Sequence, residues 1–174
     1  MNYETLYNSI QAYAENTEAL FVANIPVYVQ QAEDRIYNTV NLPSLRKNVT
    51  GNVSTTNKYL SAPNDFLSTY SLAVVDSLVV YTYLLNKDVN FMREVYPDPT
   101  VTGMPKYYAL FGPTVNVSTI TNELSFILGP TPDASYEAEL TYYAKLTKLS
   151  STETVNWLLT AAPDVYLYGA LLQA

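Results

Sequence analysis

The chain contains no cysteine and no histidine. The first absence excludes a disulfide framework and thiol chemistry. The second removes the commonest general base and the commonest metal ligand together. Glycine is scarce, 5 in 174 residues, and no Walker loop, GxGxxG, GxSxG, HExxH or EF-hand pattern occurs. Charge is scarce as well, at 14% of residues where about a quarter is usual. The net charge of -7 opposes wrapping of nucleic-acid backbone, which needs clustered Lys and Arg. The nearest basic cluster, Arg46-Lys47, reads as a loop rather than a groove. Long apolar runs are missing too. The longest, SLVVYTYLL at 77–85, is too short to span a bilayer, so no membrane is expected. MNYETLYNSIQAYAEN carries Tyr, Glu and Asn where the apolar core of a secretory signal would sit. The sequons beginning at Asn48, Asn52 and Asn116 are therefore read as ordinary polar residues.

What is abundant is apolar side chains, 48% of residues, and tyrosine, 17 against 5 Phe and a single Trp. Tyrosine joins a large apolar body to a polar tip, which suits half-buried strands and subunit contacts. The length is that of one domain with a real core. Few charges and many apolar side chains point to a surface that something else covers.

Periodicity runs from helix to strand and back. Tyr3, Leu6, Tyr7, Ile10, Tyr13 and Ala14 predict a helix over 2–16 with Asn2 as its cap. A second helical stretch opens at Thr17, is restarted or kinked at Pro26, and stops at Pro43. Its stripe is Ile25, Val29, Ala32, Ile36 and Val40, with Gln30, Gln31, Glu33 and Asp34 mainly on the other side. The period then changes. KNVTGNVSTT suggests two short strands about Gly51, and APNDFLSTYSLAV a turn followed by a strand, with a second apolar run after Asp76-Ser77. Residues 87–96 fit a short helix after an Asn86 cap, with Val89, Met92 and Val95 on one side; 97–103 read as irregular. TVNVSTI and ELSFIL are spaced like a hairpin. In SYEAELTYYAKL, Tyr136, Ala138, Leu140, Tyr142, Ala144 and Leu146 share one face and Glu137, Glu139, Thr141 and Lys145 the other, a strand with one wet side.

Helices return after Ser150, whose spacing to Glu153 fits a capping box ahead of Val155, Leu158, Leu159 and Ala162. Pro163 and Asp164 start a last helix that is apolar on almost every side up to Ala174. Such a helix is buried in its own core or against a partner. The expected class is α+β: 1–174 as a single domain, a helical bundle from 1–43 and 150–174, and an antiparallel β-rich insertion over 44–149.

No constellation for catalysis emerges. Glu137 and Glu139 share the face where solvent belongs, Asp65 and Asp98 pair only if the fold unites them, and Glu33-Asp34-Arg35 suits a polar face or an inter-subunit contact. No catalytic residue, metal ligand or cofactor is expected, and no enzyme. The residues assigned to a protein interface are Tyr28 and Arg35 on the long helix and Val165, Tyr166, Tyr168, Leu171 and Leu172 on the last.

Several segments in this order resemble the head-to-tail adaptor proteins of tailed bacteriophages. They are Ile25-Pro26…Ala32-Glu33…Arg35-Ile36, Pro63…Asp65-Phe66, Pro105…Tyr108-Ala109-Leu110, and Trp157-Leu158-Leu159…Pro163-Asp164…Tyr168-Gly169-Ala170-Leu171. The resemblance implies a structural virion protein assembled in the host cytoplasm. It implies a ring, commonly a dodecamer, beneath the portal protein and joined to a tail or nozzle protein. Double-stranded DNA would pass through the lumen without sequence-specific binding. Family members commonly continue in helix past this point, with C-terminal segments docking into the portal. Two other readings compete: another tail, baseplate or head-completion protein, and, more distantly, a carbohydrate-binding module using surface tyrosines.

Overall fold

In the computed structural model, which describes residues 1–55, 57–112, 115–116, 119–120 and 124–174, the first apolar stripe becomes helix α1 (Tyr3–Ala14). Asn2 caps it reciprocally: its Oδ1 accepts from the Thr5 amide at 2.8 Å, and the Thr5 hydroxyl oxygen accepts from the Asn2 amide at 2.9 Å. Helix α2 (Ala19–Thr39) runs unbroken through Pro26. A proline has no amide for the carbonyl four residues back, here that of Val22; Tyr7 donates its hydroxyl to that oxygen at 2.9 Å. The helix therefore does not restart at Pro26.

A single 3₁₀ turn (Pro43–Leu45) leads into strands β1 (Arg46–Val53), β2 (Tyr59–Ser61), β3 (Phe66–Val75), β4 (Tyr81–Tyr83) and β5 (Leu85–Asn86). Helix α3 (Val89–Val95) follows, then β6 (Tyr107–Phe111), β7 (Val115–Asn116), β8 (Thr119–Ile120), β9 (Ser125–Gly129) and β10 (Tyr136–Ala144). Helices α4 (Trp157–Ala161) and α5 (Pro163–Leu171) close the chain's order of elements. The class is α+β, with five α-helices and two four-stranded sheets among the described residues.

The chain divides into two units: Met1–Leu45 with Lys145–Ala174, and Arg46–Ala144. In the helical unit, α5 packs on α1, α2 and α4 around Leu6, Ile10, Ile25, Leu159 and Tyr166, all fully buried. In the β unit, one sheet has the order β1-β10-β3-β4 and the other β2-β9-β6-β5. Val53, Leu72, Val74, Leu140 and Tyr142 from the first meet Tyr108, Phe126 and Leu128 from the second in one core. Helix α3 covers the far side of the second sheet through Met92, which packs with Ala109 and Ile127. Gly129 permits that approach, since a Cβ there would stand 2.5 Å from the Met92 terminal methyl.

Strand β10 keeps the expected alternation, with Ala138, Leu140, Tyr142 and Ala144 inward, although Leu146 lies beyond it in the helical unit. Other expectations need correction. Residues around Gly51 do not turn; β1 is one strand, and Gly51 stands opposite Ala138 of β10. Arg46 and Lys47 begin that strand rather than a loop. The cap of α3 is Asp88, whose side chain accepts from the Asn90 amide at 2.7 Å, and Asn86 belongs to β5. Among the described residues Val115–Asn116 pairs with Thr119–Ile120, and β9 pairs with β2 and β6 rather than with the expected 114–120 strand. The remaining residues of that stretch, and the sequon beginning at Asn116, lie outside the described residues. The Ser150 oxygen does accept from the Glu153 amide at 3.0 Å, but helix begins only at Trp157, capped by Asn156, and Val155 is exposed. The local turn forms without starting a helix.

Candidate protein interface

Helix α5 carries two apolar faces because its sequence offers almost no polar residue to break them. Pro163 occupies its first turn, where a missing amide costs nothing, and Asp164 complements the positive end of the helix. Tyr166, Leu167 and Ala170 point into the unit and are buried. Val165, Tyr168 and Leu172 recur at i, i+3 and i+7 on the other side and stay exposed, Tyr168 at 57% and Leu172 at 77%.

Across from them runs a row along α2 and its C-cap: Ala32, Arg35, Ile36, Thr39 and the cap residue Val40. The two rows wall a groove of about 340 Å³. The helices come close at its floor, where a Cβ on Gly169 would lie 3.2 Å from that of Ala32. Nothing polar inside the groove offers chemistry. Its one full charge, Arg35, is exposed on the rim.

The helical unit also holds a buried polar network. Glu33 is fully buried on α2, the face that its spacing of four from Val29 dictates and its charge had argued against. Its Oε1 accepts from the Leu149 amide at 3.1 Å and from the Tyr166 hydroxyl at 3.1 Å. Since the single Tyr166 proton goes to Glu33, the Tyr166 oxygen accepts from Asn156 Nδ2 at 2.7 Å and from the Tyr37 hydroxyl at 3.2 Å. Glu33 Oε2 has no hydrogen-bond partner among the described residues. Burial lifts the Glu33 carboxyl above the usual range, against the pull of Leu149, Tyr166 and Lys148. Burial also pushes Tyr37 up to about 12 and raises Tyr166 further, so both phenols are neutral.

Of the residues assigned to an interface from sequence, Arg35, Val165, Tyr168 and Leu172 meet in the one groove. Three do not. Tyr166 lies in the core, Leu171 packs half-buried against it, and Tyr28 packs on Phe21 with ring centroids 5.9 Å apart. Sequence reasoning missed Val40 as an exposed rim residue and Ala32 with Gly169 as the floor. The signal was there in the i, i+4 row 32, 36, 40, which continues past the end of the buried stretch.

The acids considered from sequence have partners of their own. Asp65 accepts from Lys47 at 2.6 Å and from the Tyr142 hydroxyl at 2.8 Å, Asp98 accepts from the Thr100 amide and hydroxyl, and Glu139 accepts from Asn48. No group of acids among the described residues is arranged to hold a metal ion. Among the described residues no helix is long and apolar enough to cross a membrane. The geometry suits contact with proteins. No curated protein matches the chain. A family model described as "SU10 adaptor protein" matches residues 1–174, every residue of the chain.

Proposed function

Since the chain belongs to the SU10 adaptor protein family, a family of phage head-to-tail adaptors, we propose that its copies form a dodecameric ring beneath the portal and join it to the tail or nozzle. As a family member it is a bacteriophage structural protein, associated with portal and tail proteins in the virion, and the family is not one of enzymes. Within that role, the helical unit is the bundle and the β unit the insertion of a single domain. The α2–α5 groove receives an apolar segment of the portal protein, with Tyr168 and Leu172 as its anchors and Arg35 at its rim. The acidic excess of the chain lines the lumen, where like charge lets duplex DNA slide instead of holding it.

The observation that carries this reading is the match along the full chain; the exposed stripe on α5 gives it a surface. The test is assembly on purified portal rings, viewed by negative-stain electron microscopy. Wild-type chain should decorate the portal as a second ring. Tyr168→Asp and Leu172→Asp place a charge on already exposed positions, so both variants should fold and fail to dock. Normal docking by both would remove the groove from the portal contact. Wild-type chain that never binds portal rings would overturn the adaptor role proposed for this chain.

A further inference from the structure

Between β10 and α4 the chain runs through the helical unit as a strap, residues 145–156, with no helix or strand of its own. Of its side chains only Leu149 is buried, at 2% exposure. Its polar ties to α1, α2 and α5 are few. The Tyr3 amide of α1 donates to the Thr154 carbonyl at 2.7 Å, and the Lys148 ammonium meets Asp34 of α2 at 3.3 Å, both side chains being half exposed. The other two ties end on one atom. Leu149 donates its amide to Glu33 Oε1 directly, and Asn156 reaches the same oxygen through the Tyr166 hydroxyl.

That carboxyl is fully buried, and its second oxygen, Oε2, has no hydrogen-bond partner among the described residues. Neutral, such a group is tolerated. Ionised, it is a charge out of water with half of its acceptor capacity unmet. The surrounding titratable and charged groups offer Oε2 no donor. They are Tyr3 from α1, Asp34 and Tyr37 from α2, Lys148 from the strap and Tyr166 from α5; α4 brings none. Lys148 is the one cation among them and is drawn off to Asp34. The phenols stay neutral where a carboxyl titrates. Water is then the remaining donor, and it needs a way in. Helices α2 and α5 are held by their own ladders and by the core, whereas the strap has neither ladder nor more than one buried side chain. The strap is the wall that yields.

We infer that the strap is a proton-operated latch, closed over Glu33 while that carboxyl keeps its proton and released locally, ahead of the rest of the helical unit, when the proton leaves. The latch belongs to the single chain and works with or without the ring and portal proposed above. Its sign follows from burial, which lifts the Glu33 carboxyl above its ordinary range. Closure is complete below the unfolded value and is lost as pH rises through the folded one.

Amide hydrogen exchange of the full chain over a pH series, corrected for intrinsic rates, tests the latch. Opening releases one proton, so protection of Leu149 and its neighbours should fall by about tenfold per pH unit between the ordinary carboxyl value and the folded one. Protection in the middle of α1 and α2 should hold over the same range. Glu33→Gln, permanently neutral, should keep the strap closed throughout, and Asp34→Asn should retain the wild-type slope. In wild-type chain with isotope-labelled glutamate carboxyls, the one signal titrating above the ordinary range should share its midpoint with the strap, a readout that needs no variant to fold. Strap protection that ignores pH, or falls equally in Glu33→Gln, overturns the latch. So does a fall matched step for step in α1 and α2, which is unfolding of the whole unit, or a slope abolished by Asp34→Asn, which would put the switch in the surface pair.

Discussion

In the β unit the largest fully buried side chain is Phe126, set among Phe66 and Tyr108 at ring-centroid distances of 5.4 and 5.9 Å, with the Tyr142 hydroxyl led out to half-exposed Asp65. In the helical unit it is Tyr166, whose hydroxyl is held inside by Glu33, Tyr37 and Asn156. One core is closed by fitted volume, the other by volume plus a polar network that leaves one carboxylate oxygen unpaired. Each unit is therefore sensitive to a different kind of change. Removing atoms should harm the β unit most. Removing or ionising a hydrogen-bonding group should harm the helical unit most.

The largest effect should come from Phe126→Ala. A fully buried aromatic is lost from between two sheets that cannot collapse onto the gap, at a cost of about 3–5 kcal/mol. Amide hydrogen exchange read by mass spectrometry separates the units. Protection of β3, β6, β9 and β10 should fall while that of α1 and α2 changes far less. Equal loss in both units would mean they open as one, and the comparison would dissolve.

Next in size is Tyr166→Phe, which keeps the ring and deletes only the hydroxyl. Glu33 then loses one of two donors, and Asn156 and Tyr37 lose their acceptor, a cost of about 1–3 kcal/mol confined to the helical unit. Glu33→Gln sharpens the same point through pH. The Glu33 carboxyl titrates above its ordinary range when folded because burial disfavours the charge, so the unfolded chain releases that proton first as pH rises. Stability of the helical unit should therefore be highest below about 4.3, decline as pH climbs toward the folded value, then level off. The glutamine variant should lack that decline. Parallel pH curves for the two chains would show that Glu33 is not the source.

Much of this fold was legible because simple periods survive into the structure. The alternation of Ala138, Leu140, Tyr142 and Ala144, the Asn2 cap and the start of α5 at Pro163 all reappear. The illegible parts share a cause: the deciding partner is far away in sequence. Glu33 has the spacing of a core residue, yet its carboxylate argued it outward, and its partner Tyr166 is 133 positions on. Gly51 reads locally as a turn and becomes strand because β10 arrives opposite it. On α5, a helix apolar on nearly every side has no preferred face, so no periodicity could separate inward Tyr166 from outward Tyr168. Of the seven residues assigned to an interface, four therefore line the groove, while Tyr166 is buried and Tyr28 and Leu171 are half-buried.

The smallest effect, and the one that sets the units most sharply apart, concerns Asp65. Burial alone would raise its carboxyl, but hydrogen bonds from Lys47 and Tyr142, with the Lys47 charge, hold it below the usual range. The sign is then opposite to that of Glu33. Its contribution is complete above the ordinary aspartate value of about 3.9 and is lost as pH falls through the lower folded value. Because Lys47 and Asp65 keep 54% and 32% of their side-chain surface exposed, the amount is at most about 1 kcal/mol and shrinks with salt. Asp65→Asn should cost that much in the β unit at neutral pH and nothing in strong acid, while Glu33→Gln should alter the helical unit at neutral pH and leave it unchanged in acid. Acidification should thus weaken the β unit at Asp65 under conditions where the helical unit is relieved at Glu33. Hydrogen exchange across a pH series, corrected for intrinsic rates, reads both slopes in one experiment, and two slopes of the same sign would mean that the buried carboxyl and the rim carboxylate do not differ as their surroundings require.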